Sequence, residues 1–239
     1  MKIRAVFFDA VGTLFRVRET VGAIYSSVAK PYGGRLSPAD LDEGFREGFS
    51  RIARLDYSKH ARETWDPLEK RWWYDLVKDV FTHAGELPTP FESYFQDVYE
   101  SFENYENWIL YPEVPETLRL LKDEGLILGV ISNFDRRILP LCDGLGLSTW
   151  FDSIHLPRDV GAAKPDPRIF QAALSRHQLL PGEAIHVGDH PEEDVEGARA
   201  SGITPILIHR NGGTGEVDGE RIGSLLELPG RIGKRFDRY

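Results

Sequence analysis

Residues 6–15 read Val-Phe-Phe-Asp-Ala-Val-Gly-Thr-Leu-Phe. The apolar run before Asp9 has the composition of a strand buried on both faces, and Gly12-Thr13 marks a turn directly behind it. A carboxylate at the carboxyl end of such a strand stands where open parallel sheets place their ligands, exposed as a nucleophile or metal ligand. An ordinary polar strand terminus has the same pattern, and this segment alone does not separate the two. Position 11 limits the functional reading, because valine stands there where a second carboxylate is expected.

Outward from this strand the chain changes character twice. From about Thr20 to Asn107 only helical periodicity is found, broken at Tyr32-Gly33-Gly34, Ser37-Pro38, Asp66-Pro67, Gly85 and Pro88-Thr89-Pro90. These breaks predict about four helices. From Tyr111 onward strands and helices alternate: a helix after Pro112, a strand at 126–132, a helix after Asp135 and a short strand near 153–155. A helix from Pro167, a strand at 184–188, a helix from Pro191 and a strand at 204–209 follow. Alternation of this kind implies an α/β fold whose parallel sheet is covered on both faces, with the helical block inserted after the first strand.

A chain of 239 residues suits one domain with an insertion or two small domains. The formal net charge of −9 argues against a dedicated nucleic-acid binder, which needs clustered Lys and Arg. The locally basic tail 231–239 reads as a solvated terminus. Cys142 is the only cysteine and reads as a packed thiol on a helix face. The apolar run at the start reaches Asp9 too soon for a signal peptide, and no stretch of roughly 18 apolar residues suggests a membrane span. The expected compartment is the cytoplasm, with no membrane or nucleic-acid partner.

Polar residues cluster at the predicted strand ends. In Ile131-Ser132-Asn133-Phe134-Asp135 a hydroxyl and backbone amides precede a helix and can hold an anion, although Ser132 and Asn133 also suit a plain strand-to-helix turn. In Lys164-Pro165-Asp166-Pro167, helix capping accounts for Asp166 and Pro167 but not for Lys164, which is either a point charge for a phosphate or a surface lysine. Gly188-Asp189-His190-Pro191-Glu192-Glu193-Asp194 opens a helix with four acids, of which Glu192 and Glu193 are explained by the helix dipole. If Asp9, Asp189 and Asp194 converge, each carboxylate pair near 4 Å repels by about 4 kcal/mol at an effective dielectric of about 20. One lysine does not offset that, so such a site requires a divalent cation, and all-oxygen ligands beside an anionic substrate favour Mg2+.

The ordered set Asp9 through Thr13, Ser132, Lys164-Pro165 and Gly188-Asp189 with Asp194 resembles the haloacid dehalogenase-like hydrolase superfamily. Within it, Ile131 to Arg137 and Lys164 to Gln171 look closest to the branch called haloacid dehalogenase-like hydrolase domain-containing protein 3. The resemblance implies a Rossmann-like three-layer core with a parallel sheet, residues 1–16 and 110–239, and an inserted helical cap domain, 17–109. It implies Asp9 as the nucleophile that forms an aspartyl-phosphate from a small phosphorylated metabolite. Asp9, the Val11 carbonyl, Asp189 and Asp194 would form the Mg2+ site, with Asp194 binding or orienting its shell. Ser132, Asn133 and Lys164 would contact the substrate, and Thr13 would help form a mobile turn under the cap. A monomer or homodimer is expected.

Val11 departs from the phosphatase pattern, which places an aspartate there as general acid and base. Without it unactivated alkyl phosphates should react poorly, whereas acyl and aryl phosphates leave more easily. His190 could supply a substitute proton, but it also suits a helix N-cap. A halide needs no proton, so a metal-independent 2-haloacid dehalogenase is the enzymatic alternative, and a non-catalytic Mg2+ and phospho-ligand binding protein is the other. In the cap, Trp65, Trp72, Trp73 and Tyr74 could stack a ligand or build the core, and Arg62 and Arg71 could meet an anion or remain solvated. Asn211-Gly212-Gly213-Thr214-Gly215 reads as a surface turn, since it lacks the ending of a nucleotide loop.

Overall fold

The computed structural model describes residues 2–210 and 219–236. The Asn211 to Gly215 turn expected from the sequence lies outside the described residues. Strands are β1 (Ala5–Phe8), β2 (Phe15–Val17), β3 (Trp108–Leu110), β4 (Ile127–Ile131), β5 (Ser153–His155), β6 (Ala184–Gly188), β7 (Thr204–Ile208) and β8 (Glu220–Ile222). Helices are α1 (Val21–Ala29), α2 (Pro38–Arg51), α3 (Trp65–His83), α4 (Phe91–Ser101), α5 (Val114–Asp123), α6 (Ile138–Gly144), α7 (Pro157–Val160), α8 (Pro167–Arg176), α9 (Gly197–Ala200) and α10 (Leu228–Phe236).

Six strands form one sheet in the order β5-β4-β1-β6-β7-β8, every neighbouring pair parallel. All four residues of β1 are buried, as its apolar run requires at the centre of a sheet covered on both faces. Ala5 and Phe7 face one layer, where they pack with Ile169, Phe170 and Ala173 of α8 and Ala198 of α9. The fold is therefore an α/β, Rossmann-like core. Phe8 is level with Val130 on one side and Val187 on the other, so the carboxyl ends of β1, β4 and β6 finish together. In the sheet the chain builds β4 and β5 on one side of β1 and then crosses back to build β6, β7 and β8 on the other, so the topological switch point lies between β1 and β6.

The chain divides into two compact units: Met1–Arg16, Leu110–Arg136 and Leu145–Tyr239 form the first, and Val17–Ile109 with Arg137–Gly144 form the second. The first carries the six-stranded sheet. The second contains α1 to α4 around a core that includes Tyr25, Leu41, Leu76, Val80, Phe81 and Tyr94, and it also takes α6. Its helices begin where the sequence signals them: Thr20 Oγ1 accepts from Ala23 N at 3.1 Å ahead of α1, and Ser37 Oγ accepts from Asp40 N at 3.2 Å ahead of α2. A separate two-stranded sheet pairs β2 with β3.

The segment after Pro191 differs from the plain helix expected there. Pro191–Glu196 is a wide, π-helical turn that runs into α9, and both Asp194 N and Val195 N donate to His190 O, at 2.9 and 3.4 Å. Among the described residues no helix is long and apolar enough to cross a membrane.

Candidate active site

Asp9 continues β1, and its N–H donates to Val187 O at 2.8 Å, which fixes it beside the end of β6. Lys164 Nζ donates to Asp9 Oδ1 and to Asp194 Oδ1, both at 2.6 Å, and the lysine side chain is 1% exposed. A fully buried lysine with two carboxylate partners is not the surface residue that its local sequence allows. Asp194 Oδ1 also accepts from His186 Nε2 at 2.9 Å, and Oδ2 accepts from His190 N at 3.0 Å. The imidazole is assigned as the Nε2–H tautomer, because an ionised carboxylate only accepts.

Asp189 is an exposed residue, yet its carboxylate is tucked against the turn after β1. A β-carbon on Gly12, whose φ is +90°, would lie 2.1 Å from Asp189 Oδ2. Likewise a β-carbon on Gly188 would lie 2.1 Å from Asp194 Cγ. The two glycines are therefore the space in which two acids approach the site. One carboxylate oxygen from each of Asp9, Asp189 and Asp194 falls within 4.8 Å of the others.

The electrostatics follow from crowding three acids around one cation. Burial pushes the Asp9 carboxyl up to about 7; Lys164 opposes this, while the charges of Asp194 and Asp189 add to it. Protein packed around the Asp189 carboxyl, and then the Asp194 charge, push it up to about 6. Burial acts on Asp194 in the same sense, but Lys164 and His186 outweigh it and hold this carboxyl well below the usual range. Burial disfavours the Lys164 ammonium, and the two carboxylates reverse that and raise it. Asp194 and Lys164 therefore form the ionised pair, and Asp9 and Asp189 are the two carboxyls whose ionisation the site opposes.

A hard cation fits this donor set. All three side-chain donors are oxygen, and Asp189 makes no hydrogen bond to another described residue. The turn after β1 also holds one carbonyl that no donor engages among the described residues. Ala10 O accepts from Leu14 N and Phe15 N, Leu14 O from Tyr111 N, and Phe15 O from Gly12 N. Gly12 O and Thr13 O accept from the Arg210 guanidinium. Among the described residues Val11 O alone in this turn accepts nothing.

Of the other residues expected at the site, Ser132 is buried, and its Oγ accepts from Phe134 N at 3.2 Å, which leaves its own proton for a ligand. The Thr13 hydroxyl is fully buried, with no partner among the described residues. Asn133 is placed as a brace rather than a ligand contact: its Oδ1 accepts from Lys164 N at 2.7 Å, and its Nδ2 donates to Lys164 O at 3.0 Å and to Glu193 Oε2 at 2.9 Å. The Val11 side chain is half-buried and has no proton to give. His190 Nδ1 accepts from Glu193 N at 3.2 Å, a helix-capping contact.

Two residues in this network are absent from the sequence reading. His186 had one signal, an imidazole inside the apolar strand Ala-Ile-His-Val-Gly, and Arg210 had none. In the second unit, Trp72 Nε1 donates to Ala53 O at 2.8 Å, Trp65 Nε1 donates to His60 O at 3.2 Å, and Arg71 pairs with Asp75. Trp72 and Trp73 pack edge to face with centroids 4.9 Å apart. Cys142 is buried there and its thiol is pushed up to about 12, which leaves it inert.

Residues 3–202 match the family model described as haloacid dehalogenase-like hydrolase. A relative from Danio rerio, haloacid dehalogenase-like hydrolase domain-containing protein 3, is 35% identical over 98% of each chain. Among solved structures, a HAD phosphatase from Thermococcus onnurineus superposes with a TM-score of 0.69 at 25% identity, over 97% of this chain and 98% of that one. A 2-haloacid dehalogenase from Pseudomonas syringae pv. Tomato superposes with a TM-score of 0.66 at 26% identity, over 98% of this chain and 99% of that one.

Proposed function

The chain belongs to the haloacid dehalogenase-like hydrolases, and on that premise we propose that it is a Mg2+-dependent phosphatase-like hydrolase acting on a small phosphorylated metabolite. The observation that carries this reading is the convergence of Asp9, Asp189 and Asp194, with the Val11 carbonyl left without a donor among the described residues. Asp9, Asp189 and that carbonyl hold the cation, and Asp194, engaged by Lys164, His186 and His190, orients the site around it. When bound, Mg2+ neutralises the carboxylates and polarises the phosphoryl oxygens.

The chain's own groups do the rest. An Asp9 oxygen forms the bond to phosphorus as the bond to the leaving oxygen breaks, and water later hydrolyses the aspartyl-phosphate. Lys164 supplies a fixed positive charge at the attacking carboxylate, and Asn133 holds the lysine's backbone at both its N–H and its C=O. The Ser132 hydroxyl donates a hydrogen bond to a phosphoryl oxygen and keeps its proton. No residue at position 11 protonates the leaving group, a loss that typically costs 10² to 10⁴ in rate, or about 3 to 5 kcal/mol. Turnover is accordingly weak, or specialised for acyl and aryl phosphates whose leaving groups need no acid. The protein acts in the cytoplasm, as a monomer or homodimer, and without nucleic acid or membrane.

The rival reading is a 2-haloacid dehalogenase, favoured by Val11 and by the likeness to a protein of that activity. A halide leaves without a proton, but a 2-haloacid is itself a carboxylate and would meet the charge of Asp9 and Asp189. A panel of alkyl, aryl and acyl phosphates and 2-haloacids, with Mg2+ or chelator, separates the two on wild type, Asp9→Asn and Val11→Asp. Mg2+-dependent release of phosphate, abolished in Asp9→Asn, is expected, with alkyl phosphate turnover rising at least tenfold in Val11→Asp. Halide release insensitive to chelator would overturn the phosphatase. Binding of a phosphate analogue with Mg2+ but no turnover of any substrate would mark a binding protein instead.

A further inference from the structure

Arg210 follows β7, far in sequence from the turn at 10–15, yet it reaches that turn with one face and the edges of its guanidinium in use. Its Nε donates to Gly12 O at 3.2 Å and one terminal nitrogen donates to Thr13 O at 2.5 Å. The other terminal nitrogen pairs with Glu113 Oε1. Its central carbon lies 3.4 Å from the centroid of the Tyr111 ring, so the guanidinium stacks on an aromatic face. Tyr111 N in turn donates to Leu14 O at 3.1 Å, which ties the stacking partner to the same turn. The Arg210 side chain is 15% exposed.

We propose that Arg210 is a positioning residue for the cation site: by engaging the carbonyls of Gly12 and Thr13 it fixes the turn in the one arrangement that leaves the Val11 carbonyl free. The inference deepens the hydrolase reading above and rests on it for the identity of the cation. Without the guanidinium, the Gly12 and Thr13 carbonyls lose their only donors among the described residues, and a turn that contains glycine at positive φ has cheap alternatives for the peptide planes around Val11. Gly12 is also the residue against which the Asp189 carboxylate rests, so a shift of this peptide disturbs two oxygens of the site together. Lysine cannot replace arginine here, because a point charge does not present a planar fork to two carbonyls, a carboxylate and a ring. Residues that orient metal ligands in this indirect way typically change metal affinity by about ten- to hundred-fold when removed.

The test uses the full chain with Mn2+ as the probe for the Mg2+ site, its free concentration read by electron paramagnetic resonance, alongside amide exchange of the metal-free protein by mass spectrometry. The variants are Arg210→Gln, Arg210→Lys and Glu113→Gln, with Arg231→Gln, which breaks only an exposed helix pair with Glu227, as the charge control. Both Arg210 variants should weaken Mn2+ binding about ten- to hundred-fold and speed exchange at Gly12 and Leu14, whose N–H groups close the turn. Glu113→Gln should move both readouts the same way by less, and it carries the test if Arg210→Gln does not fold. Arg231→Gln should match wild type. Mn2+ affinity and turn exchange within twofold of wild type in both Arg210 variants, beside tight binding by wild type, would overturn the role of Arg210 alone. Wild type that fails to bind Mn2+ would overturn the metal of the hydrolase reading, and this inference with it.

Discussion

Asp9 is both the residue that makes the fold readable and the one whose chemistry is least free. It is held by Lys164 at 2.6 Å, and its neighbours Asp194 and Asp189 oppose its ionisation, so in the metal-free protein its carboxyl stays protonated up to about pH 7. A metal ligand must be deprotonated, and cation and protons therefore compete for Asp9, and to a lesser extent for Asp189, which holds its proton up to about 6. The sign follows: Mg2+ affinity is full above pH 7 and declines as pH falls through 7 and then 6, by about ten- to hundred-fold between pH 8 and 5.5. Isothermal titration calorimetry in two buffers of different ionisation enthalpy should show net proton release on Mg2+ binding at pH 6.5. Affinity independent of pH over that range would mean that neither Asp9 nor Asp189 both titrates there and binds the cation. Asp194 plays no part in this competition, because Lys164 and His186 already keep it ionised.

The elements carry a second pH dependence of opposite origin, at the sheet edge. In β5, His155 Nε2 lies 2.9 Å from Ser153 Oγ, which lies 2.8 Å from His177 Nε2, and both imidazoles pack near Phe7. Burial, reinforced by the charges of His177 and Arg176, pushes His155 down to about 4. An unfolded histidine titrates near 6.5, so below that pH the unfolded chain takes up a proton that the folded chain refuses. The stability associated with neutral His155 is complete above about 6.5 and is lost as pH falls towards 4, at most about 3 kcal/mol. The difference in unfolding free energy between wild type and His155→Gln, measured in urea, should therefore shrink from pH 7.5 to pH 4.5; a difference that stays constant would show that the imidazole titrates in the folded protein as it does in the unfolded chain. Elements of this length mark the limit of sequence reading. The spans of β1, β4 and β6 stand out because four or five consecutive buried residues give a continuous apolar run. The three residues of β2, β3 or β8 cannot establish a period, and the wide turn after Pro191 depends on how Asp194 folds back onto His190, which no local pattern encodes.

At the scale of the molecule, parallel order is what made the site legible: every strand in the sheet delivers its last residue to the same edge, so Asp9, Ser132 and Asp189 are neighbours once the strands are recognised. Contacts that depend on packing were not legible, and Asn133 shows why. Its position predicts a ligand contact, while the fold brings Lys164 to it across 31 residues and takes up the amide. The Lys164 bridge to Asp9 and Asp194, and the reach of Arg210 across 198 residues to Gly12, likewise exist only in three dimensions. The assembled site leaves the metal-free protein with three acids around one lysine, an arrangement tuned for a cation at some cost to stability. Asp189 is the acid to remove in testing this, since it has no hydrogen bond to Lys164 and its surroundings already oppose its charge. Asp189→Asn should raise the thermal midpoint of the metal-free protein slightly at pH 8, because it relieves repulsion without opening a cavity. In wild type, Mg2+ at a hundred times its dissociation constant contributes about 2.7 kcal/mol, which for a chain of this size corresponds to a rise of roughly 5–10 °C. That rise should vanish in Asp189→Asn, while any general effect of salt survives in both proteins. An Asp189→Asn protein that melts below wild type without metal, yet responds fully to Mg2+, would place the cation elsewhere and make Asp189 a structural residue.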